Sequence, residues 1–261
     1  MPTYLDKILD AHRGQAGADR RDVDGLVSRA EACPPARGFA AALRSGPGVA
    51  VIAEIKRRSP SKGPLAPGLV PGILAQAYAG AGAACLSVLT DAEFFGGSPS
   101  DLAEARAATD LPVLRKDFTV SAADVCDARL MGADAVLLIV GALSPGELGH
   151  LVGMARRVGL DALVEVHDER EAELALAAGA SLVGVNQRDL VTFEVDTDRA
   201  VRVVASLPPS VVRVAESGIR TADDVARLAA AGFDAILVGE ALVTAADPGA
   251  ALTALMEGTP C

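Results

Sequence analysis

Cysteine, positive charge and long apolar runs are all in short supply in this chain, and each shortage removes a class of function. The four cysteines, Cys33, Cys85, Cys126 and Cys261, show neither metal-ligand spacing nor the density of a disulfide framework. They read as reduced thiols of a cytoplasmic protein. Lys and Arg number 24 against 34 Asp and Glu, a formal net charge of −10, which argues against nonspecific binding to nucleic acid because affinity for a phosphate backbone depends on basic patches. Any anionic ligand must then be held by a few local cations. The longest apolar runs, such as Ala135 to Val140, fall far short of the roughly 20 residues that cross a bilayer. The opening Met-Pro-Thr-Tyr-Leu-Asp-Lys lacks the apolar core of a signal peptide. No contact with a membrane is expected.

What the chain has in quantity is apolar residues arranged in a repeat. At 261 residues, 51% hydrophobic and 22% charged with 3% aromatic, it can bury one substantial core, and a barrel of this length counts as one domain. Segments opening Gly82-Ala-Ala-Cys, Gly132-Ala-Asp-Ala, Gly159-Leu-Asp-Ala, Gly179-Ala-Ser-Leu and Gly232-Phe-Asp-Ala each read as a glycine helix cap, a short link and a nearly all-apolar strand. Val49 to Lys56, Pro112 to Lys116 and Val211 to Glu216 lack the glycine lead-in and bring the expected strands to eight. Between strands lie amphipathic segments such as Pro145 to Val158, Glu169 to Ala178 and Thr221 to Ala231, with Ser144, Asp168 and Thr221 as N-caps. Strands apolar on both faces that alternate with helices imply a parallel sheet covered by helices. Eight such units in about 200 residues fit an α/β fold of the closed (β/α)8 TIM barrel type better than an open doubly wound sheet. The repeat itself is expected to carry no function beyond building the fold.

Chemistry concentrates where strands end. In Val49 to Gly63 a buried-strand pattern suddenly acquires Glu54 and Lys56, which, two apart, share one face of the strand. An acid and an ammonium there are costly to desolvate unless each has a partner, so the pair marks either a site or a structural ion pair closing the core. In a barrel of this kind the chemistry sits at the carboxyl ends of the strands. Those ends carry Lys116-Asp117, Glu165 with His167, Asn186 with Arg188, and Glu216-Ser217, while Ile139-Val140-Gly141 looks like wall. Ser217-Gly218-Ile219 and Gly239-Glu240 follow the last two strands, where many barrels hold a phosphate on backbone N–H groups. A phosphorylated small molecule is the expected ligand, with Lys56 near enough to share its charge.

Several of these segments together carry a resemblance. Glu54-Ile-Lys-Arg-Arg-Ser-Pro-Ser-Lys-Gly63, Leu86-Ser-Val-Leu-Thr-Asp91, Phe95-Gly-Gly-Ser98, Leu114-Arg-Lys-Asp-Phe118, Leu163-Val-Glu-Val-His-Asp168, Gly184-Val-Asn-Gln-Arg-Asp-Leu190, Ala215-Glu-Ser-Gly-Ile219 and Leu237-Val-Gly-Glu-Ala-Leu242 resemble the indole-3-glycerol phosphate synthase family, in register at every strand. Leu5-Asp-Lys-Ile8 and Pro34-Pro-Ala-Arg-Gly-Phe39 resemble that family's N-terminal helical extension. The resemblance implies residues 1–48 as an extension packing over the barrel mouth and residues 49–261 as the barrel. It implies a carboxy-lyase of tryptophan biosynthesis that converts 1-(2-carboxyphenylamino)-1-deoxyribulose 5-phosphate to indole-3-glycerol phosphate.

By the same resemblance Lys116 is the general acid and Glu165 the general base, with Glu54, Lys56, Asn186 and Ser217 also catalytic. Substrate binding falls to Ser59, Phe95, Phe118, Arg188, Glu216, Gly218, Gly239 and Glu240. No metal or organic cofactor is called for, and other tryptophan-pathway enzymes are possible partners. Gln187 departs from the smaller or amide residue expected beside two binding residues, which touches the shape of that wall. His12 and His167, outside the carried-over motif, are read as structural. Glu165 should have a higher pKa than Glu54, because it has no lysine two positions along its face. Two rival readings are an aldolase with Lys116 as Schiff-base nucleophile and an idle barrel that only binds a phosphorylated metabolite or a partner subunit.

Overall fold

The computed structural model describes residues 3–60, 62–189 and 191–257; Ser61 and Leu190 of the motifs above, and Cys261, lie outside them. Eight parallel strands close into one barrel: β1 (Ala50–Ile55), β2 (Cys85–Leu89), β3 (Val113–Lys116), β4 (Ala135–Ile139), β5 (Asp161–Val166), β6 (Leu182–Asn186), β7 (Val212–Glu216) and β8 (Ala235–Val238). Each pairs with its neighbours in chain order, and β8 closes on β1 through Ala50↔Ala235 to Ala53↔Val238. β2, β4 and β6 are buried at every position, as strands with a filled barrel on one face and helices on the other must be.

The helices begin where their caps lie. Ser144 and Thr221 form capping boxes with Glu147 and Asp224, and Asp168 accepts from the Glu171 N–H, starting α7 (Pro145–Arg157), α10 (Ala222–Ala230) and α8 (Glu169–Ala177). The five repeat glycines, Gly82, Gly132, Gly159, Gly179 and Gly232, all take positive φ and turn the chain from a helix into the next strand.

Three of those repeats also carry an aspartate, and these residues staple the floor. Asp134 accepts from the backbone N–H groups of Arg37 and Val113, at 2.8 and 2.9 Å, and pairs with Arg106. Asp161 accepts from Ala40 N at 2.8 Å, and Asp234 from Arg213 N at 2.8 Å. The repeat is thus more than a spacer, because its aspartates satisfy chain ends that strand pairing leaves open.

The residues before β1 travel from the mouth to the floor. α1 (Tyr4–Ala18) lies at the mouth, where Arg13 reaches Glu147 at 2.9 Å and Tyr4 packs edge-on against Phe94 and Phe193. α2 (Val23–Glu31) packs on α6 (Ala122–Leu130) at the barrel's side. α3 (Phe39–Ala42) crosses the floor with Phe39 fully buried. Of the segment expected over the mouth, α1 is the part found there.

Candidate active site

The cleft at the carboxyl ends of the strands gathers the expected site residues. It is lined by Glu54, Lys56, Ser59, Phe95, Lys116, Asn186, Arg188, Glu216, Ser217, Gly218, Gly239 and Glu240. Glu165 and Phe118 stand just behind, in an adjoining recess that shares Leu89, Phe95, Lys116 and Asn186 and adds Leu137 and Ile139 beside the carboxylates of Asp91 and Asp117.

At the centre, two ion clusters face each other. Lys56 Nζ lies 2.6 Å from Glu54 Oε1, so the same-face pairing read from the strand is formed. Across the barrel, Lys116 Nζ sits between Glu165 Oε2 at 3.2 Å and Glu216 Oε2 at 3.1 Å. Asn186 Nδ2 donates to Glu165 Oε1 at 3.0 Å, and Asn186 Oδ1 in turn accepts from Arg188 N at 3.0 Å. Two glycines make room for these carboxylates. A Cβ on Gly184 would meet Glu216 Oε1 at 2.0 Å, and one on Gly239 would meet Glu54 Oε1 at 2.3 Å.

The protonation pattern differs from the sequence expectation. Burial pushes the Glu165 carboxyl up, but Lys116, His167 and the Asn186 amide outweigh it and hold Glu165 below the ordinary range. The raised carboxyl is Glu216, pushed up to about 7 by burial and by the negative charges of Glu165 and Glu54, against the pull of Lys116. Looking for a lysine along Glu165's own strand missed the one supplied by β3. Burial lowers the Lys116 ammonium's pKa, yet Glu216, Glu165 and Glu54 more than reverse that, and it stays above the usual lysine range.

The two glycine turns read as a phosphate cradle lie at the last two strands. Ser217 and Gly218 both take positive φ, 66° and 76°, and a Cβ on Gly218 would strike Val195 Cγ1 at 2.5 Å. Gly239 caps α11 (Glu240–Val243), whose first N–H groups have no acceptor within the helix. Gln187 is buried and donates from Nε2 to the Ser217 carbonyl at 2.7 Å, so it braces this turn from behind instead of shaping the substrate wall. The Glu240 carboxylate turns to Lys62 at 2.6 Å, leaving its N–H as the group suited to an anion. Sequence reasoning passed over Lys62, which is exposed at the rim, and Arg220, which lines the cleft.

The two histidines read as structural differ from one another. His12 of α1 reaches Asp91 Oδ2 at 3.0 Å and lies 5.5 Å from the Phe118 ring. Asp91 also accepts from the N–H groups of Phe94 and Phe95, so the arm is tied to the loop that carries Phe95. His12, Asp91 and Asp117 are close enough together to hold a cation. Their oxygens are already engaged, however, with Arg115 at 2.9 Å from Asp117, which makes the group a docking contact for α1. His167 is placed otherwise: its Nε2 lies 3.7 Å from Glu165 Oε1.

A closed parallel barrel with an ammonium between two buried carboxylates and two glycine turns beside them is the architecture of a (β/α)8-barrel enzyme. A family model described as indole-3-glycerol phosphate synthase matches residues 5–255. The chain is 54% identical to indole-3-glycerol phosphate synthase 2 of Streptomyces coelicolor, over 98% of this chain and 100% of that one. It is 49% identical to the indole-3-glycerol phosphate synthase of Mycobacteroides abscessus, over 97% of this chain and 94% of the relative. The chain belongs to the indole-3-glycerol phosphate synthase family. A thiamine phosphate pyrophosphorylase from Pyrococcus furiosus shares the fold, with a TM-score of 0.60 at 19% identity over 80% of this chain and 94% of that one.

Proposed function

We propose that this mouth closes the indole ring of 1-(2-carboxyphenylamino)-1-deoxyribulose 5-phosphate, releasing carbon dioxide and water to leave indole-3-glycerol phosphate in tryptophan biosynthesis. The observation that carries the reading is Lys116 Nζ held between Glu165 and Glu216, next to both a recess walled by Phe95, Phe118, Leu137 and Ile139 and the glycine turns of the last two strands. The phosphate rests on the Ser217–Gly218 turn and the Gly239–Glu240 N–H groups, with Lys56 sharing its charge. The aryl ring enters the recess between Phe95 and Phe118, whose centroids are 6.3 Å apart. Ser59 closes the cleft, Arg188 and Asn186 hold the carboxylate and hydroxyl side, and Glu54 keeps Lys56 aimed.

Attack of the aryl carbon on the ribulose carbonyl needs a proton at the oxygen, and loss of water needs an acid and a base. Lys116 remains an ammonium through neutral pH and is the donor, while Glu165 remains a carboxylate and is the acceptor. Carbon dioxide departs from a cationic ring intermediate that is its own electron sink, so no cofactor is required. The same electrostatics disfavour the aldolase reading, because a Schiff-base lysine needs a lowered pKa and this one is raised.

We take residues 1–48 as an arm whose first helix guards the mouth and residues 49–261 as the barrel. Among the described residues no helix is long and apolar enough to cross a membrane. We place the enzyme in the cytoplasm, with other enzymes of the tryptophan pathway as candidate partners. Lys116→Ala, followed by indole fluorescence from the anthranilate-derived substrate, should lower kcat by roughly 10²-fold or more. A variant with near-normal kcat would remove Lys116 from the mechanism, and borohydride trapping of a substrate adduct on wild type would restore the aldolase reading.

A further inference from the structure

His167 sits between two carboxylates that line different clefts. Its Nδ1 is 3.1 Å from Glu171 Oε2, and its backbone N–H donates to the same oxygen at 2.7 Å. A carboxylate at Nδ1 fixes the proton of the neutral ring there. The bare Nε2 then points at Glu165 Oε1, 3.7 Å away, and it is buried with no hydrogen-bond partner among the described residues. Two acceptors confronting each other in a buried place are satisfied when one proton lies between them. On the far side, Glu171 opens to a cleft lined by Leu5, Gly141, Asp168, Asp189 and Arg199, distinct from the substrate cleft.

We propose that His167 is a positioning and proton-relay residue that carries the proton collected by Glu165 out to this second cleft. The proposal rests on Glu165 being the base. Glu165 Oε1–H gives its proton to Nε2 and returns to carboxylate; the imidazolium gives its Nδ1 proton to Glu171 Oε2, which loses it to water. One proton enters the ring and one leaves, and no electrons move; to reset, the ring, which itself lines the second cleft, turns into it, loses its Nε2 proton to water and takes one from water at Nδ1. A gap of 3.7 Å exceeds a formed hydrogen bond, and catalytic contacts of this kind tighten when substrate seats. The groups facing the ring are Glu165 on β5, Glu171 on α8 and Arg199 on α9 (Arg199–Val204), the last 4.0 Å from Asp189. Burial lowers the imidazolium's pKa, but Glu171 and Glu165 outweigh it against Arg199, so the ring holds a proton more readily than a free imidazole does.

The test compares His167→Gln, Glu171→Gln and Glu165→Gln with wild type under saturating substrate, with small-imidazole buffer as the variable. The relay predicts that His167→Gln keeps KM within about twofold while kcat falls roughly 10-fold, and that kcat then rises with imidazole concentration while wild type does not respond. Glu171→Gln, which keeps an acceptor for Nδ1–H but cannot pass the proton on, should behave alike and stands in if His167→Gln does not fold. Loss of kcat without a buffer response in either variant, or no loss in both, overturns the relay. Loss in Glu165→Gln beside normal His167→Gln leaves the base standing and removes the relay alone. Retained kcat in Glu165→Gln removes both.

Discussion

Both ends of the barrel bury carboxylates, and they treat them in opposite ways. At the floor Asp134 is 1% exposed and takes two backbone N–H groups and the Arg106 guanidinium. At the mouth Glu216 is 2% exposed, shares one ammonium with Glu165, and leaves Oε1 without a hydrogen-bond partner among the described residues. A carboxylate saturated by fixed donors has one stable protonation state, and changing it breaks structure. One that is buried and under-supplied, as Glu216 is, can change its proton at little structural cost. The same residue class therefore clamps the chain at one end and handles protons at the other.

The comparison breaks most plainly at the floor. Asp134→Ala strands three donors and should cost about 3–5 kcal/mol, lowering the melting temperature by roughly 10 °C while the folded fraction keeps its kcat. A large loss of kcat at unchanged stability would mean the floor reaches the chemistry. Gly184→Ala sharpens the mouth side. Its Cβ must displace Glu216, so kcat should fall roughly 10-fold with KM less affected, and a silent variant would show that Glu216's position is immaterial. At the anion end, inorganic phosphate should raise the melting temperature of wild type. Gly218→Val, strained at its positive φ and clashing with Val195, should lose most of that gain, and an equal gain in both would place the cradle elsewhere.

The smallest effect is a slope. A carboxyl raised to about 7 in the fold from its ordinary 4.5 binds more protons folded than unfolded between those values. Its contribution to stability is therefore full below about pH 4.5 and is lost as pH rises through about 7. Melting temperatures of Glu216→Gln across pH 5 to 8 should lack this decline relative to wild type. Identical slopes would assign the raised pKa to another group.

Most of the barrel is legible in the sequence because its signals are local. Glycine caps, N-caps and all-apolar strands state their own structure, and Glu54 with Lys56 needs only the two-residue period of a strand. What is not legible depends on residues meeting across the barrel. Lys116 and Glu216 are 100 positions apart, so the exchange of high and low pKa between Glu216 and Glu165 is hidden until β3, β5 and β7 stand around one axis. Gly184 looks like one more small strand residue until the Glu216 carboxylate is seen occupying its missing side chain. The floor aspartates are visible as a recurring Gly-x-Asp, yet two of the N–H groups they accept from, those of Arg37 and Ala40, come from the arm, whose path no periodicity reveals.

The division of labour between the two ends is tested most directly by measuring kcat and melting temperature together on Glu165→Gln. The substitution keeps the shape of the side chain and, through its one amide oxygen, a contact to Lys116 or Asn186, but cannot accept a proton. The account predicts a fall in kcat of roughly 10²-fold or more with a melting temperature within a few degrees of wild type. A variant that unfolds like Asp134→Ala while its folded fraction turns over normally would make Glu165 another clamp and contradict the account.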